Sequence, residues 1–162
     1  MSLKFKIKVP GTSANIGVGY DCLGVALDYY LEIEVTESET IEFVENGKEF
    51  SIPLDENLMF EAANFTQKKL NKTIPNYRVN IIRTDIPIAR GLGNSSSAIV
   101  AGIRIVNRSL NTKLDRDSIA TLAVEMEGHP DNVVPAIFGG MVLAAHDKEN
   151  LSYALLPNIE NL

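Results

Sequence analysis

Leu3, Phe5, Ile7 and Val9 alternate with lysines and other polar positions, the period-two pattern of a half-buried strand. Pro10-Gly11 is expected to end it. Tyr29–Val35 and Ile41–Glu45 read as further strands of one meander, turning near Ser38-Glu39. Asn46-Gly47 is a two-residue hairpin signal leading into a strand at Phe50–Ile52. Asn57 is placed to cap a helix running to Leu70, with Leu58, Ala62, Phe65 and Leu70 on its apolar side. Tyr77–Arg83 alternates again and reads as a strand.

A helix is predicted from Ser95 to Leu110, with Ile99, Ile103, Val106 and Leu110 as its buried stripe. Asp115 or Asp117 starts the next helix, Ile119, Leu122, Ala123 and Met126 face its core, and Gly128 stops it. Pro130 fits the first turn of a short helix carrying Asn132–Ile137. Gly139-Gly140 leads to a strand at Met141–Ala145, and Tyr153–Leu156 is its expected partner. Strands, a helix, a strand, a helix pair and more strands make an α+β order rather than a regular βαβ alternation.

The 162 residues suit one domain, or one domain and the start of another, and 45% hydrophobic with 22% charged residues is ordinary for a globular chain. The net charge of −6 comes without a basic stripe, so a nucleic-acid partner is not expected. Acidic bulk charge does not forbid a phosphorylated ligand, because backbone N–H groups and a metal ion neutralise phosphates locally. Cys22 is the single cysteine, which excludes an intramolecular disulfide and fits a reducing compartment. Met1–Val9 lacks the continuous apolar core of a signal peptide, and no apolar run approaches a membrane span. A cytoplasmic location without a membrane partner is therefore expected. The sequence leaves oligomeric state open, a homodimer included.

Candidate chemistry centres on Pro87-Ile88-Ala89-Arg90-Gly91-Leu92-Gly93-Asn94-Ser95-Ser96-Ser97, between a predicted strand and a predicted helix. Gly91 and Gly93 let the backbone turn tightly and approach a ligand. The helix that begins here adds unpaired N–H groups and a partial positive charge, together an anion site suited to phosphate. The hydroxyls of Ser95, Ser96 and Ser97 are candidate donors to phosphate oxygens or ligands of Mg²⁺. No Gly-Lys-Ser/Thr follows, so this is not a Walker A loop, and Ser96 occupies the third glycine position of the dinucleotide fingerprint. Taken alone, the segment reads equally as a glycine-rich turn with serine caps.

The loop resembles the motif Pro-x-x-x-Gly-Leu-Gly-Ser-Ser-Ala of the GHMP kinases, departing from it at Asn94. Two further strings, in the same chain order, resemble segments of the homoserine kinases, a branch of that superfamily. Pro10-Gly11-Thr12-Ser13-Ala14-Asn15-Ile16-Gly17-Val18-Gly19-Tyr20-Asp21 reads by itself as a turn-rich connection. By the resemblance, Asn15 and Asp21 line an amino-acid substrate site, with Asp21 facing the ammonium group. Glu125-Met126-Glu127-Gly128-His129-Pro130-Asp131-Asn132-Val133-Val134-Pro135-Ala136 ends a helix in a carboxylate and follows it with His, Asp and Asn. With only His129 and His146 in the chain, a histidine metal site is not expected. The resemblance makes Ser95 and Glu127 the Mg²⁺ ligands and sets His129 and Asn132 beside the substrate. Asn57-Leu58 resembles the adenine-pocket segment of the same family, although a plain cap accounts for Asn57 equally well.

The resemblance implies the GHMP kinase N-terminal domain over residues 1–156, a two-layer α/β sandwich of the ribosomal protein S5 domain 2-like kind. Residues 157–162 are then expected to begin a linker to a C-terminal domain that this chain lacks. It also implies ATP-dependent phosphorylation of L-homoserine, with ATP and Mg²⁺, and catalytic positions at His129, Asp131 and Asn132. Asn132 is no useful proton acceptor, so transfer is expected to rest on orientation and charge, with Asp131 as the rival base. Other expectations stand beside this one. They are a GHMP kinase for a different alcohol, an ATP-binding module that does not turn over, and a hydrolase triad of Ser96, His129 and Asp131.

Overall fold

The computed structural model describes residues 3–87, 91–147 and 150–157. Ile88, Ala89 and Arg90 of the predicted loop, and residues 158–162 of the expected linker, lie outside the described residues. Strand β1 (Lys4–Ile16) pairs antiparallel with β2 (Gly19–Glu37). Then follow β3 (Glu42–Glu45), β4 (Lys48–Glu49), α1 (Leu58–Leu70) and β5 (Tyr77–Thr84). The chain continues with α2 (Asn94–Leu110), α3 (Arg116–Glu127), α4 (Val133–Phe138), β6 (Met141–His146) and β7 (Leu151–Leu156).

Among the described residues seven strands form one sheet, in the order β4-β3-β5-β2-β6-β7 with β1 joined to β2 off that path. One face is apolar and carries the helices. Ile7 stands opposite Ile33 and Val9 opposite Leu31, Ile33 opposite Ile81 and Val35 opposite Val79, and all of these are buried. The alternate residues face away from the helices, where Lys8 and Arg83 both pair with Glu32, at 3.3 and 3.6 Å. This is the expected two-layer α+β sandwich, its core between one sheet face and four helices.

Three expectations are corrected. Pro10-Gly11 does not end β1, which runs on to Ile16 through register shifts after Pro10 and after Ala14. The bulges absorb residues that cannot continue a regular ladder. β3 is not the next strand of a meander with β2; it lies parallel to β5, with Phe43 opposite Val79. The strand expected at Phe50–Ile52 is confined to Lys48–Glu49, although Phe50 N–H still donates to the Phe43 carbonyl at 2.9 Å.

The helices begin and stop where their caps dictate. Asn57 Oδ1 accepts from the N–H groups of Met59 and Phe60, and Asp115 Oδ1 accepts from Ser118 N–H. Gly128 closes α3 in the left-handed region. α1 is rotated relative to the expected stripe, since Met59, Ala62, Ala63 and Thr66 are its buried residues. Gly102 of α2 lets it approach that face closely, because a Cβ there would press on the Met59 carbonyl and the Ala62 Cβ. No helix among the described residues is long and apolar enough to cross a membrane.

Tyr77 is fully buried against the edge of Phe43, and its hydroxyl has no hydrogen-bond partner among the described residues. Burial pushes its phenol well above the ordinary value. Tyr77→Phe should therefore raise the free energy of unfolding by about 1 kcal/mol, measured by urea titration, since the orphaned hydroxyl is removed. A folded-state pKa above the unfolded one means stability is intact below about pH 10 and falls as the pH rises beyond it. Tyr77→Phe should lessen that alkaline loss.

Candidate active site

The first turn of α2 is built without a side-chain cap. Gly93, in the left-handed region at φ 67°, occupies the cap position, and no side chain accepts from the first amides. The serines that could have capped it are committed elsewhere. Ser97 is buried, and its hydroxyl lies 2.8 Å from both the Pro10 and Gly93 carbonyls. Ser96 is buried and donates to Glu127 Oε1 at 3.0 Å. Ser95 is exposed on the same turn. Of the three hydroxyls named as candidate phosphate donors or Mg²⁺ ligands, two are thus engaged within the protein and Ser95 is the exposed one. Successive helix positions point in different directions, and the two that face the core find partners there. The α2 amides and the positive end of the helix dipole remain for an anion.

Gly93 is required for a reason the sequence did not show. A Cβ at this position would collide with Thr12 Oγ1 and stand 2.9 Å from Thr12 N, so β1 packs directly on the loop. Gly91, also left-handed, would place a Cβ in open space. Thr12 N–H donates to the Leu92 carbonyl at 3.1 Å. Leu92 and Asn94 are half-buried, and Pro87 is exposed at the end of the described chain before the loop.

The segment after α3 reaches the same place from the other side. Glu127 is the last residue of α3, so Gly128 turns the chain sharply beside the start of α2. Asp131 is 1% exposed, and His129 Nδ1–H donates to its Oδ1 at 3.0 Å. This bond leaves His129 Nε2 as the free ring nitrogen of a half-exposed side chain. Asn132 Oδ1 accepts from the Thr12 hydroxyl at 2.8 Å. Asn132 holds the cap position of α4 yet makes no side-chain cap bond to it. Gly24 of β2 admits this segment, since a Cβ there would overlap the Asp131 carbonyl.

Asn15 and Asp21 lie on the two arms of the β1–β2 hairpin, a region read from sequence as a connecting loop. Both are exposed and left-handed, and Asp21 N–H donates to Asn15 Oδ1 at 2.9 Å. Both lie near the tip of the hairpin, between the Ala14–Gly24 and Ile16–Gly19 pairs. Asn57 is both a cap and a cavity wall. It is 3% exposed, its Nδ2 has no partner, and it borders a cavity of 180 Å³ that also touches Asn94, Ala98, Leu58 and Ile81. A wider groove of 410 Å³ at the β3–β4 edge does not touch this turn.

The structure thus brings together the 91–97 loop, Glu127, Asn132 and, through the cavity, Asn57. It does not join Ser96 to His129, because the Ser96 hydroxyl is bonded to Glu127, and the hydrolase triad is not formed. Sequence reasoning missed Thr12. Its only signal was its place inside the Pro10–Asp21 string.

A model of the GHMP kinases N terminal domain matches residues 57–140. Homoserine kinase from Clostridium novyi is 45% identical over 150 residues, covering 92% of this chain and 50% of the relative. A solved Listeria monocytogenes chain, named as a candidate homoserine kinase, superposes with a TM-score of 0.81 at 34% identity, over 93% of this chain and 53% of that one. Homoserine kinase from Cytophaga hutchinsonii gives 0.77 at 25% identity, over 95% and 52%. The chain spans about half the length of the curated relatives it matches.

Gly24→Ala should push the Asp131–Asn132 segment off β2 and lower stability by about 3 kcal/mol in urea titration. Gly17→Ala, whose Cβ meets nothing within 4 Å, should cost only the left-handed penalty of about 1 kcal/mol.

Proposed function

The chain belongs to the GHMP kinases through their N-terminal domain, and on that premise we propose that it binds ATP at the 91–97 loop for transfer of the γ-phosphate to the side-chain hydroxyl of L-homoserine. The product is O-phospho-L-homoserine, an intermediate toward threonine made in the cytoplasm. The observation that carries this reading is the uncapped first turn of α2, with Ser96 and Ser97 turned inward and a cavity opening beside Asn94. Residues 1–156 act as the nucleotide-binding domain. The loop amides take the phosphates, and the cavity bounded by Asn57 and Asn94 takes the adenine. The unpaired Asn57 Nδ2 is a donor suited to a ring nitrogen there.

Glu127 and Ser95 would hold Mg²⁺. The donor set fits, since a carboxylate steadied by Ser96 and an exposed hydroxyl on the neighbouring turn are the hard oxygen ligands this ion takes. When bound, the ion neutralises charge on the β- and γ-phosphates. Asp21 faces the substrate ammonium, and Asn15 shapes that corner by accepting from Asp21 N–H. Asn132 meets the reacting hydroxyl, and His129, oriented by Asp131, lines the same side.

The hydroxyl oxygen attacks the γ-phosphorus, the bond to the β–γ bridging oxygen breaks, and its electron pair leaves with ADP. The hydroxyl proton passes to a phosphate oxygen or to solvent. Asp131 is a poor base for it, because its carboxylate is enclosed and already accepts from His129. Rate enhancement then comes from placement and from charge stabilisation.

A coupled ADP-release assay on the whole protein should give turnover with L-homoserine and none with mevalonate or shikimate; turnover with mevalonate instead would remove the substrate assignment. Glu127→Gln should lower turnover by about 10²-fold while leaving the melting temperature nearly unchanged. Asp131→Asn should keep turnover within about 10-fold of wild type. Abolished turnover with intact substrate affinity would make Asp131 the base.

A further inference from the structure

Thr12 is fully buried in β1, and nothing in the preceding reading gives it a part in the reaction. It nevertheless touches both ends of the site. Its N–H donates to the Leu92 carbonyl at 3.1 Å, and its side chain occupies the space in which a Gly93 Cβ would stand. Its hydroxyl donates to Asn132 Oδ1 at 2.8 Å, across 120 positions of sequence.

The second bond is not a local one. Asn132 precedes α4 with a backbone already helical, at φ −102° and ψ −44°, whereas a capping asparagine is extended, so its Oδ1 makes no cap bond and accepts from Thr12. A carboxamide has one oxygen and one nitrogen on opposite sides of its Cγ. Engaging Oδ1 therefore fixes the plane and turns Nδ2, with its two donors, away from β1. Among the described residues Nδ2 takes no partner.

We propose that Thr12 is the positioning residue that sets the acceptor-hydroxyl end of the site against its phosphate end. This rests on the reading in which Asn132 meets the substrate hydroxyl. The Thr12 hydroxyl holds the Asn132 amide so that Nδ2 donates to the hydroxyl oxygen. The Thr12 N–H and its contact at Gly93 hold the phosphate loop. One rigid residue thereby fixes the separation between attacking oxygen and phosphorus, the quantity to which transfer is most sensitive.

The test compares Thr12→Val, which keeps the shape and the N–H but loses the hydroxyl, with Thr12→Ser, which keeps the hydroxyl. In the whole protein, Thr12→Val should lower kcat by about 10²-fold with KM for ATP within about 3-fold, and Thr12→Ser should stay within about 3-fold of wild type in both. In nitrogen-15 correlation spectra without nucleotide or substrate, the Asn132 side-chain amide pair should sit apart from free asparagine in wild type and Thr12→Ser. It should move toward the free position in Thr12→Val.

The proposal is overturned if Thr12→Val keeps kcat within about 2-fold, if Thr12→Ser falls as far as Thr12→Val, or if the Asn132 resonances do not move. Should Thr12→Val fail to fold, Thr12→Ala, which lacks the hydroxyl and demands no volume, is judged by the same criteria. A wild-type protein inactive on L-homoserine would sink the substrate reading, while the Asn132 spectra would still decide the part played by Thr12.

Discussion

The site hangs on the buried seam between Pro10–Thr12 of β1 and the first turn of α2. Ser97 reaches the Pro10 carbonyl, Thr12 N–H reaches the Leu92 carbonyl, and Gly93 lies flat against Thr12. Gly11 completes the fit, since a Cβ there would stand 3.0 Å from the Leu92 carbonyl and 3.1 Å from Ile86 Cγ1. Only small side chains can occupy this contact. Because the sheet itself anchors the start of α2, the helix does not need a capping side chain, and its amides stay open to an anion.

Polar burial follows the same geography. Of the six buried polar residues among the described ones, Thr12, Asn57, Ser96, Ser97 and Asp131 stand on the elements that form the site, and Thr66 is satisfied inside α1 by the Ala62 carbonyl. Burying such groups costs stability unless each finds a partner. Three of them are bonded across elements, to Asn132, Glu127 and Pro10, and Asp131 is bonded within its own segment to His129. A network satisfied in this way leaves little freedom for the loop, the end of α3 and the start of α4 to move separately. Asn57 is the exception, with one half of its amide capping α1 and the other half unpaired at the cavity wall.

Much of the architecture was legible from local pattern. Each of α1 to α4 is found where periodicity and caps place it, within a residue or so at the ends. β5 follows its alternation, β6 starts after Gly139-Gly140 as expected, and its partner β7 begins two residues earlier than expected, at Leu151. The hairpin arm Gly19–Asp28 was not legible as strand, because Gly19, Gly24 and the left-handed Asp21 break the alternation that would announce it. The parallel pairing of β3 with β5 was equally hidden, since a strand's own sequence does not say which neighbour its backbone will meet.

Within the site, the chain order alone was enough to mark a glycine- and serine-rich loop at a helix start, a carboxylate at a helix end and a His-Pro-Asp-Asn turn, because glycine, serine and cap residues act through neighbours in sequence. Which hydroxyls stay exposed was decided by tertiary structure. Ser95, Ser96 and Ser97 are equivalent in sequence, and only the packing of α2 against β1 and α3 sends two of them inward and leaves one exposed. The same packing gave Asn132 a partner in Thr12 rather than in its own helix. A hydrogen bond between distant positions forms only once a folded core has brought its donor and acceptor together, and no local pattern encodes that meeting.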